Sequence, residues 1–489
     1  MKKKDRFCIV HISDLHRSRE NPISNAALLN SLLNDIDCYE ASPLSLGKPD
    51  VLIISGDIVQ GSRDPENAST IIKAQYDEAL NFINDLTNKL FNGDKSKVII
   101  IPGNHDISWT ESNSSMILLE EKKIVTEKGI LNKEIFKDYI KINSNIKWSW
   151  SDRSFYEVKD IDLYNQRLSY FADFYSKFYE GKRQYNLSPE DQFEIFDIPD
   201  LGLTIIGYNS CYHNDHLNRA GSIHSECIAK SGLALRKYKQ QGRLILATWH
   251  HNTSGGPYDQ DYMDNNFLKN LIALNVKISF HGHQHRNEII RAVNNIVDDK
   301  MMIILSAGSL CAGERELPTG FSRQYNIVEL ARKNENEMNM KLLSRIKTPE
   351  SSFDNPVWSI GAIDSSGITE FNKSFYHPVP PIPSLGDAEK LFNDKNFNDA
   401  IQILEEHDKD DAFVRKILLE CYLKTEKYKK IIEDFSDPKS NDEAIQLMNA
   451  YLEEGLKKDS LKVIQIPIIA NSKDASIAHL RDQIKAQVK

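Results

Sequence analysis

Phe7-Cys8-Ile9-Val10-His11-Ile12-Ser13-Asp14-Leu15-His16 is the stretch on which the reading of this chain turns. A short run rich in Ile and Val, Phe7–Ile12, stops at a serine, and a carboxylate and an imidazole follow at once. Such a run reads as a strand buried on both faces. The same arrangement recurs four times. Val51–Ile54 leads to Ser55-Gly56-Asp57, and Val98–Ile101 leads to Pro102-Gly103-Asn104-His105-Asp106. Leu244–Thr248 leads to Trp249-His250-His251, and Val276–Phe280 to His281-Gly282-His283-Gln284-His285.

Further runs at Leu203–Tyr208 and Met301–Leu305, with helical candidates at Asn25–Ile36 and Ala68–Leu90, make a βαβ alternation. That alternation predicts an α/β domain with a central sheet. Open α/β sheets place their functional crevice beyond the carboxyl ends of the strands. Five strands then deliver polar groups to one edge, which scattered Asp and His would not do. Asp14, His16, Asp57, Asn104, His250, His283 and His285 are the seven candidate ligands. Hard oxygen donors and imidazoles in this mix suit two divalent metals sharing a carboxylate, a site that activates water against a phosphate ester. Gly56, Gly103 and Gly282 each precede a ligand, where glycine permits a tight turn and close backbone approach.

The rest of the chain divides by pattern. Residues 110–200 are rich in aromatics, and Tyr164–Tyr179 has the spacing of an amphipathic helix. This insertion reads either as a helical subdomain with an aromatic core or as a cap whose rings stack a base. Residues 325–346 read as a hairpin around Arg332–Glu337, closing a first domain over 1–346. Residues 347–384 read as irregular, with a strand-like piece near Val357–Ile360 and a proline-rich linker at 378–383. From 385 to 489 the pattern is helical throughout. Asn396-Phe397 and Lys427-Tyr428 recur 31 residues apart, like degenerate tetratricopeptide-type hairpins, whose usual period is about 34 residues. Such hairpins bind peptides or self-associate; a plain helical bundle is the other reading.

At 489 residues the chain calls for roughly two or three domains. A composition of 40% hydrophobic and 27% charged residues is that of a soluble globular protein. A net charge of −9 argues against a strongly basic surface overall, though not against a local basic groove. Six scattered cysteines without a CxxC pair suggest a reduced, cytoplasmic protein. The start MKKKDRF resembles a leader, but the apolar stretch is short and runs straight into Asp14. No run approaches the roughly 20 apolar residues that span a membrane.

The five blocks in this order resemble the calcineurin-like metallophosphoesterase family, whose pattern is Asp-x-His, Gly-Asp, Gly-Asn-His-Asp/Glu, His and Gly-His-x-His. The resemblance spans residues 14 to 285 and lacks no ligand. It implies a four-layer α/β/β/α sandwich and a binuclear centre of Mn²⁺, Fe or Zn. One ion would take Asp14, His16 and His285, and the other Asn104, His250 and His283, with Asp57 bridging. Gly308-Ser309 looks like the family's closing Gly-Ser segment. His105 would stabilise the phosphoryl charge or protonate the leaving oxygen, with Asp106 holding its ring. A hydroxide on or between the metals is the expected nucleophile.

Several neighbouring groups stay open at this point. His251 competes with His250 as ligand; His11 reads as packed or as support behind the ligands, and His281 as support for its own motif. Asn209, His213, His216 and His224 read as pocket-lining or surface groups. Arg17 and Arg19 read as phosphate-binding or solvated.

The expected activity is hydrolysis of a phosphodiester in nucleic acid or a nucleotide, within bacterial repair or phage defence. Two alternatives are a serine/threonine-type protein phosphatase guided by the helical tail, and a scaffold with a vestigial metal domain. Gly61-Ser62-Arg63-Asp64 matches the phosphatase fingerprint poorly. Expected partners are the phosphoester substrate and a protein partner or second copy at the tail, with no membrane.

Overall fold

The computed structural model describes residues 4–18, 23–64, 66–120, 132–139, 141, 144–253, 263, 266–295, 300–363, 367–378, 384–456 and 461–488. Two compact units emerge, Met1–Val379 and Pro380–Lys489.

The first unit is built on two large sheets. In one, β1 (Arg6–Ile12), β2 (Pro49–Ser55) and β3 (Val98–Ile101) run parallel, joined through helices α1 (Asn25–Ile36) and α2 (Ala68–Phe91). The antiparallel strands β13 (Gln324–Asn334), β14 (Glu337–Lys347), β15 (Trp358–Gly361) and β16 (Glu370–Tyr376) extend it beyond β1. In the other, β8 (Leu203–Tyr208), β9 (Leu244–Thr248), β10 (Ile278–His281) and β12 (Lys300–Ser306) run parallel. Antiparallel β7 (Phe193–Ile198) and β11 (Glu288–Asn295) flank them.

Alternation along the second sheet decides where it packs. Ile205, Leu246, Ile278, Phe280 and Leu305 join the core that holds the first sheet, α1 and α2. Their neighbours Ile206, Tyr208, Ile245, Ala247 and Trp249 face the other way, onto helices Ser225–Gln240 and Asn266–Ala273. Period-two strands buried on both faces read as unbroken apolar runs, which is why these strands show so plainly in the sequence. The two sheets meet at His11 of β1, whose ring is edge-on to Phe280 of β10 at 5.0 Å.

Two expectations need correction. The stretch 110–200, expected to be helical, is mixed among the described residues, with strands beside its helices. It contains a three-stranded antiparallel sheet, β4 (Met116–Leu118), β6 (Ser154–Val158) and β5 (Ile146–Ser149). Trp148 and Phe155 pair across β5 and β6, and Arg153, at φ 51°, makes the hairpin turn. The helix expected over Tyr164–Tyr179 is interrupted by a 3₁₀ turn at Gln166–Leu168 and resumes as Ser169–Phe178. Phe171, Phe174, Tyr175, Phe178 and Tyr179 join the main core, and Phe174 stacks on Tyr76 at 5.1 Å. These rings are therefore packing groups.

The segment after 346 adds two strands to β14: β15, at the strand-like piece expected near Val357–Ile360, and β16, where irregular chain was expected. β16 alternates Phe371 and Phe375, turned towards the core, with the more exposed Glu370, Asn372 and Tyr376. An edge strand covered on one face carries no apolar run. Of the proline-rich linker, 379–383 lies outside the described residues.

The second unit consists of helices Leu385–Asn393, Phe397–Leu404, Ala412–Lys424, Tyr428–Asp434, Asn441–Glu453, Pro467–Ala470 and Ala475–Val488 among the described residues. Ser384 and Asp387 close a capping box, and Asp411 and Ser440 cap two later helices through their side chains. Ala388, Ala400, Leu404, Leu418, Cys421 and Ile431 form one core, and Leu447, Met448, Ile469, Ile477 and Ile484 a second. Lys395 and Glu426, 31 positions apart, both take left-handed φ (61° and 53°) just before a second helix. Among the described residues no helix is long and apolar enough to cross a membrane.

Candidate metal centre

Five of the seven candidate ligands leave their strands through strained backbone. Asp14, His16, Asp57, His283 and His285 have φ of 52°, 43°, 51°, 74° and 53°. Left-handed backbone at a non-glycine residue costs on the order of 1–3 kcal/mol and persists where the surroundings impose it, often at functional sites. Hydrogen bonds between exit loops supply the constraint. Asp14 N donates to Gly56 O (3.1 Å), His16 N to Asp57 O (3.0 Å) and Gly282 N to His250 O (3.0 Å). Ser309 Oγ donates to Asp14 O (2.7 Å), so the Gly308-Ser309 segment braces the first loop from behind.

Two glycines make room for carboxylates. A Cβ on Gly103 would collide with Asp57 Oδ1, and one on Gly282 with Ser13 Oγ and Asp14 Oδ2.

The structure brings all seven candidates together. Asp14, His16 and His285 form one group able to hold an ion, and Asp57, His250 and His283 another. His16, Asp57 and His105 form a third, so Asp57 belongs to two of them. His285 Nε2 lies 3.3 Å from Asp14 Oδ1, and His250 Nε2 lies 3.2 Å from Asp57 Oδ2. Asn104 Oδ1 sits 3.0 Å from His250 Nε2 and 2.8 Å from His283 Nδ1.

The outer nitrogens set the tautomers. His250 Nδ1 donates to Ser55 O (2.8 Å), His285 Nδ1 to Glu316 O (2.8 Å) and His105 Nδ1 to Gln60 O (2.8 Å). Each carbonyl can only accept, so in the neutral ring the inner Nε2 presents a lone pair. His16 Nε2 and His285 Nε2 face each other at 3.1 Å. Two carboxylates and several imidazole nitrogens thus converge, and the donors that reach the carboxylates are the backbone N–H groups of His283, on Asp14, and His105, on Asp57. Such a set is satisfied by cations. The titration of the chain alone says the same. Burial presses the His250 and His285 imidazoliums down, but Asp57 and Asp14 beside them raise both to about 9. Despite burial, His285 holds Asp14, and His250 holds Asp57, well below the usual carboxylate range. The residues present therefore fit a pair of divalent ions.

Asp106 does not do what its position suggested. Its Oδ2 accepts from Gly103 N (2.7 Å) and Ile58 N (3.2 Å), and its Oδ1 from Tyr76 OH (2.9 Å). The Gln60 carbonyl, not this carboxylate, orients His105. Consecutive residues of a 3₁₀ turn point apart, so Asp106 braces the turn backbone from within the core. Burial and the charge of Asp57 raise its carboxyl to about 7.

The other candidates sort clearly. His251 is buried with Nδ1 against Ser210 Oγ (2.8 Å), and it stands outside the ligand groups found among the described residues. His11 Nε2 contacts Ser55 Oγ (2.8 Å), and His281 stacks on Trp249. Arg17 is fully buried and pairs with Glu78 and Asn25, so it is structural; Arg19 lies outside the described residues. Asn209 is buried against Gln192, His216 meets Ser112, and His213 sits 3.5 Å from Lys147 Nζ. His224 sets its ring edge-on to Tyr212. Sequence reasoning missed Gln60, Trp109 and Arg219. Gln60 acts through a carbonyl, which carries no residue signature; Trp109 opens a short helix and Arg219 lies on a separate loop.

The family pattern of calcineurin-like phosphoesterases matches residues 8–287. The chain belongs to that family. As a calcineurin-like phosphoesterase it is a metal-dependent phosphoester hydrolase, of a family that typically binds two divalent ions. Solved structures resemble it, three of them as follows. A dimetal phosphatase from Danio rerio shares 12% identity with a TM-score of 0.35, over 68% of this chain and 95% of that one. The calcineurin-like phosphoesterase YfkN from Bacillus subtilis shares 11% (TM-score 0.28; 86% and 98%). A predicted phosphoesterase from Streptococcus pneumoniae shares 9% (TM-score 0.24; 76% and 99%). No curated protein matches the chain.

Proposed function

We propose that the chain is a binuclear phosphodiesterase acting on nucleic acid or a nucleotide, with Mn²⁺ as the working metal. The observation that carries this reading is the convergence of two carboxylates and several inward-facing imidazole nitrogens at the strand exits. Asp14, His16 and His285 would hold one ion, Asn104, His250 and His283 the other, and Asp57 both. Bound there, two divalent ions would polarise a phosphoryl oxygen and make water a nucleophile near neutral pH. The chain's own part is positional. The carbonyls of Ser55 and Glu316 lock two imidazoles so that their lone pairs face inward. His105 is held through Gln60 O and by its backbone N–H on Asp57 Oδ1 (2.8 Å), and its imidazolium form would pass the Nε2 proton to the leaving oxygen.

The two sheets sharing one core, with helices on the far face of the second, support a four-layer sandwich. The matched turns at Lys395 and Glu426 support a tetratricopeptide-like second unit that binds a peptide or another copy.

The test offers full-length chain with Mn²⁺ three substrates: bis-p-nitrophenyl phosphate, single- and double-stranded DNA, and a phosphopeptide. Cleavage of a diester, lowered roughly 10²–10⁴-fold by His105→Ala, is expected. Phosphate release from the phosphopeptide alone would replace this reading with a protein phosphatase.

A further inference from the structure

Beside the ligand cluster lies a cavity of about 670 Å³, and Asn104 and His105 form part of its wall. That wall also carries Arg63, Trp109 and Arg219. The guanidinium carbon of Arg63 lies 5.5 Å, and that of Arg219 6.0 Å, from the centre of the Trp109 ring. Two positive groups are thus gathered on one indole. Both arginines are exposed, and among the described residues neither side chain makes an ion pair or hydrogen bond.

Carboxylates on the same wall are engaged elsewhere. Asp64 accepts from the backbone N–H groups of Glu66 and Asn67 and from Asn67 Nδ2. Asp215 accepts from Tyr164 OH (2.8 Å), Leu217 N (2.8 Å) and Asn218 N (2.8 Å).

The loops are braced. Gly61, two residues before Arg63, exchanges hydrogen bonds with the Gln75 amide (3.0 and 3.1 Å), and the preceding Gln60 carbonyl orients His105. The Arg219 loop is tied by Asn214 Nδ2 to Ala220 O (2.6 Å) and Asn218 Nδ2 to His213 O (3.1 Å). Two like charges held close repel; the indole face offsets part of this, and an anion between them would offset the rest. The volume falls within the ~300–1,000 Å³ of small-molecule sites, enough for a nucleotide beyond the reacting group.

We propose that Arg63, Trp109 and Arg219 form a receptor for a second, non-scissile phosphate of the substrate. The proposal rests on the phosphodiesterase reading and narrows it: the preferred diester is flanked by another phosphate. That phosphate comes either from the free end of a small nucleotide or from the next linkage of a strand.

The test compares full-length chain with Mn²⁺ on 5′-phosphorylated dithymidylate, on the same dinucleotide without that phosphate, and on unphosphorylated decathymidylate. The phosphorylated dinucleotide should have at least ~10-fold higher kcat/KM, mainly through KM. Arg63→Gln with Arg219→Gln should bring that ratio close to one. Equal use of the two dinucleotides, or a ratio that survives the double substitution, overturns the proposal. Decathymidylate cleaved as well as the phosphorylated dinucleotide assigns the phosphate to a strand; poor cleavage assigns it to a small nucleotide. Cleavage of no diester ends the phosphodiesterase reading, and binding then decides the receptor. In EDTA, the full chain should bind thymidine 3′,5′-bisphosphate at least ~10-fold more tightly than thymidine, and the double substitution should abolish the difference. Equal affinities would overturn the receptor by itself.

Discussion

Gly282→Ala probes the centre at its tightest point without touching a ligand. Gly282 does not adopt positive φ, so alanine meets no conformational barrier there. The obstacle is space, because an added Cβ would sit far inside contact distance of Ser13 Oγ and Asp14 Oδ2. Overpacking of a rigid site costs about 1–3 kcal/mol. With roughly 2.1 cal/mol/K of unfolding entropy per residue over a unit as long as Met1–Val379, about 2 kcal/mol lowers Tm by about 2–3 °C. The effect on turnover is larger, since relief requires Asp14 or the β10 exit to move by roughly 1 Å, and a misplacement of that size costs about 10²-fold in rate. Gly47→Ala is the control: nothing lies within 4 Å of its added Cβ. Thermal unfolding and bis-p-nitrophenyl phosphate turnover of both variants are the assay. Parental activity and Tm in Gly282→Ala would refute the claim that this glycine makes room for Asp14.

Other substitutions test neighbouring claims. His250→Ala should abolish most of the Tm gain on adding Mn²⁺, whereas His251→Ala, though destabilising, should keep it; the reverse would exchange their roles. Asp35→Ala should cost about 3–5 kcal/mol in thermal unfolding, because Arg345, which pairs with Asp35 in the core, would be left buried without its carboxylate. Glu443 is pressed upward by burial, but its bonds from Arg415 hold it below the ordinary glutamate value. A depressed carboxylate contributes stability above its unfolded pKa of about 4.3 and loses it as pH falls through the folded value. The parent should therefore lose more Tm between about pH 5 and 3 than Glu443→Gln, and equal slopes would count against the pair.

Most of the catalytic unit is legible because strands covered on both faces cannot hide. Val98–Ile101 and Leu244–Thr248 stand out as apolar runs, and the donors Asn104 and His250 sit three and two residues beyond them. What stayed illegible has physical causes. β16 is covered on one face and alternates. β5 and β6 become strands through a hairpin turn at Arg153, and their aromatics fit a helix equally well on paper. The orientation of His105 depends on a backbone carbonyl, and Asp106, adjacent in sequence, turns inward to Tyr76. Arg63 and Arg219 come from two separate loops and Trp109 from the start of a short helix, so their meeting at one cavity leaves no spacing to read.

The central claim is that these loops hold two ions through a shared Asp57. Metal content of the full-length chain after Mn²⁺ loading and desalting tests it directly. Two ions per chain are predicted, about one in His285→Ala, and a loss of both in Asp57→Ala. One ion or none in the parent, or two retained in Asp57→Ala, would contradict it.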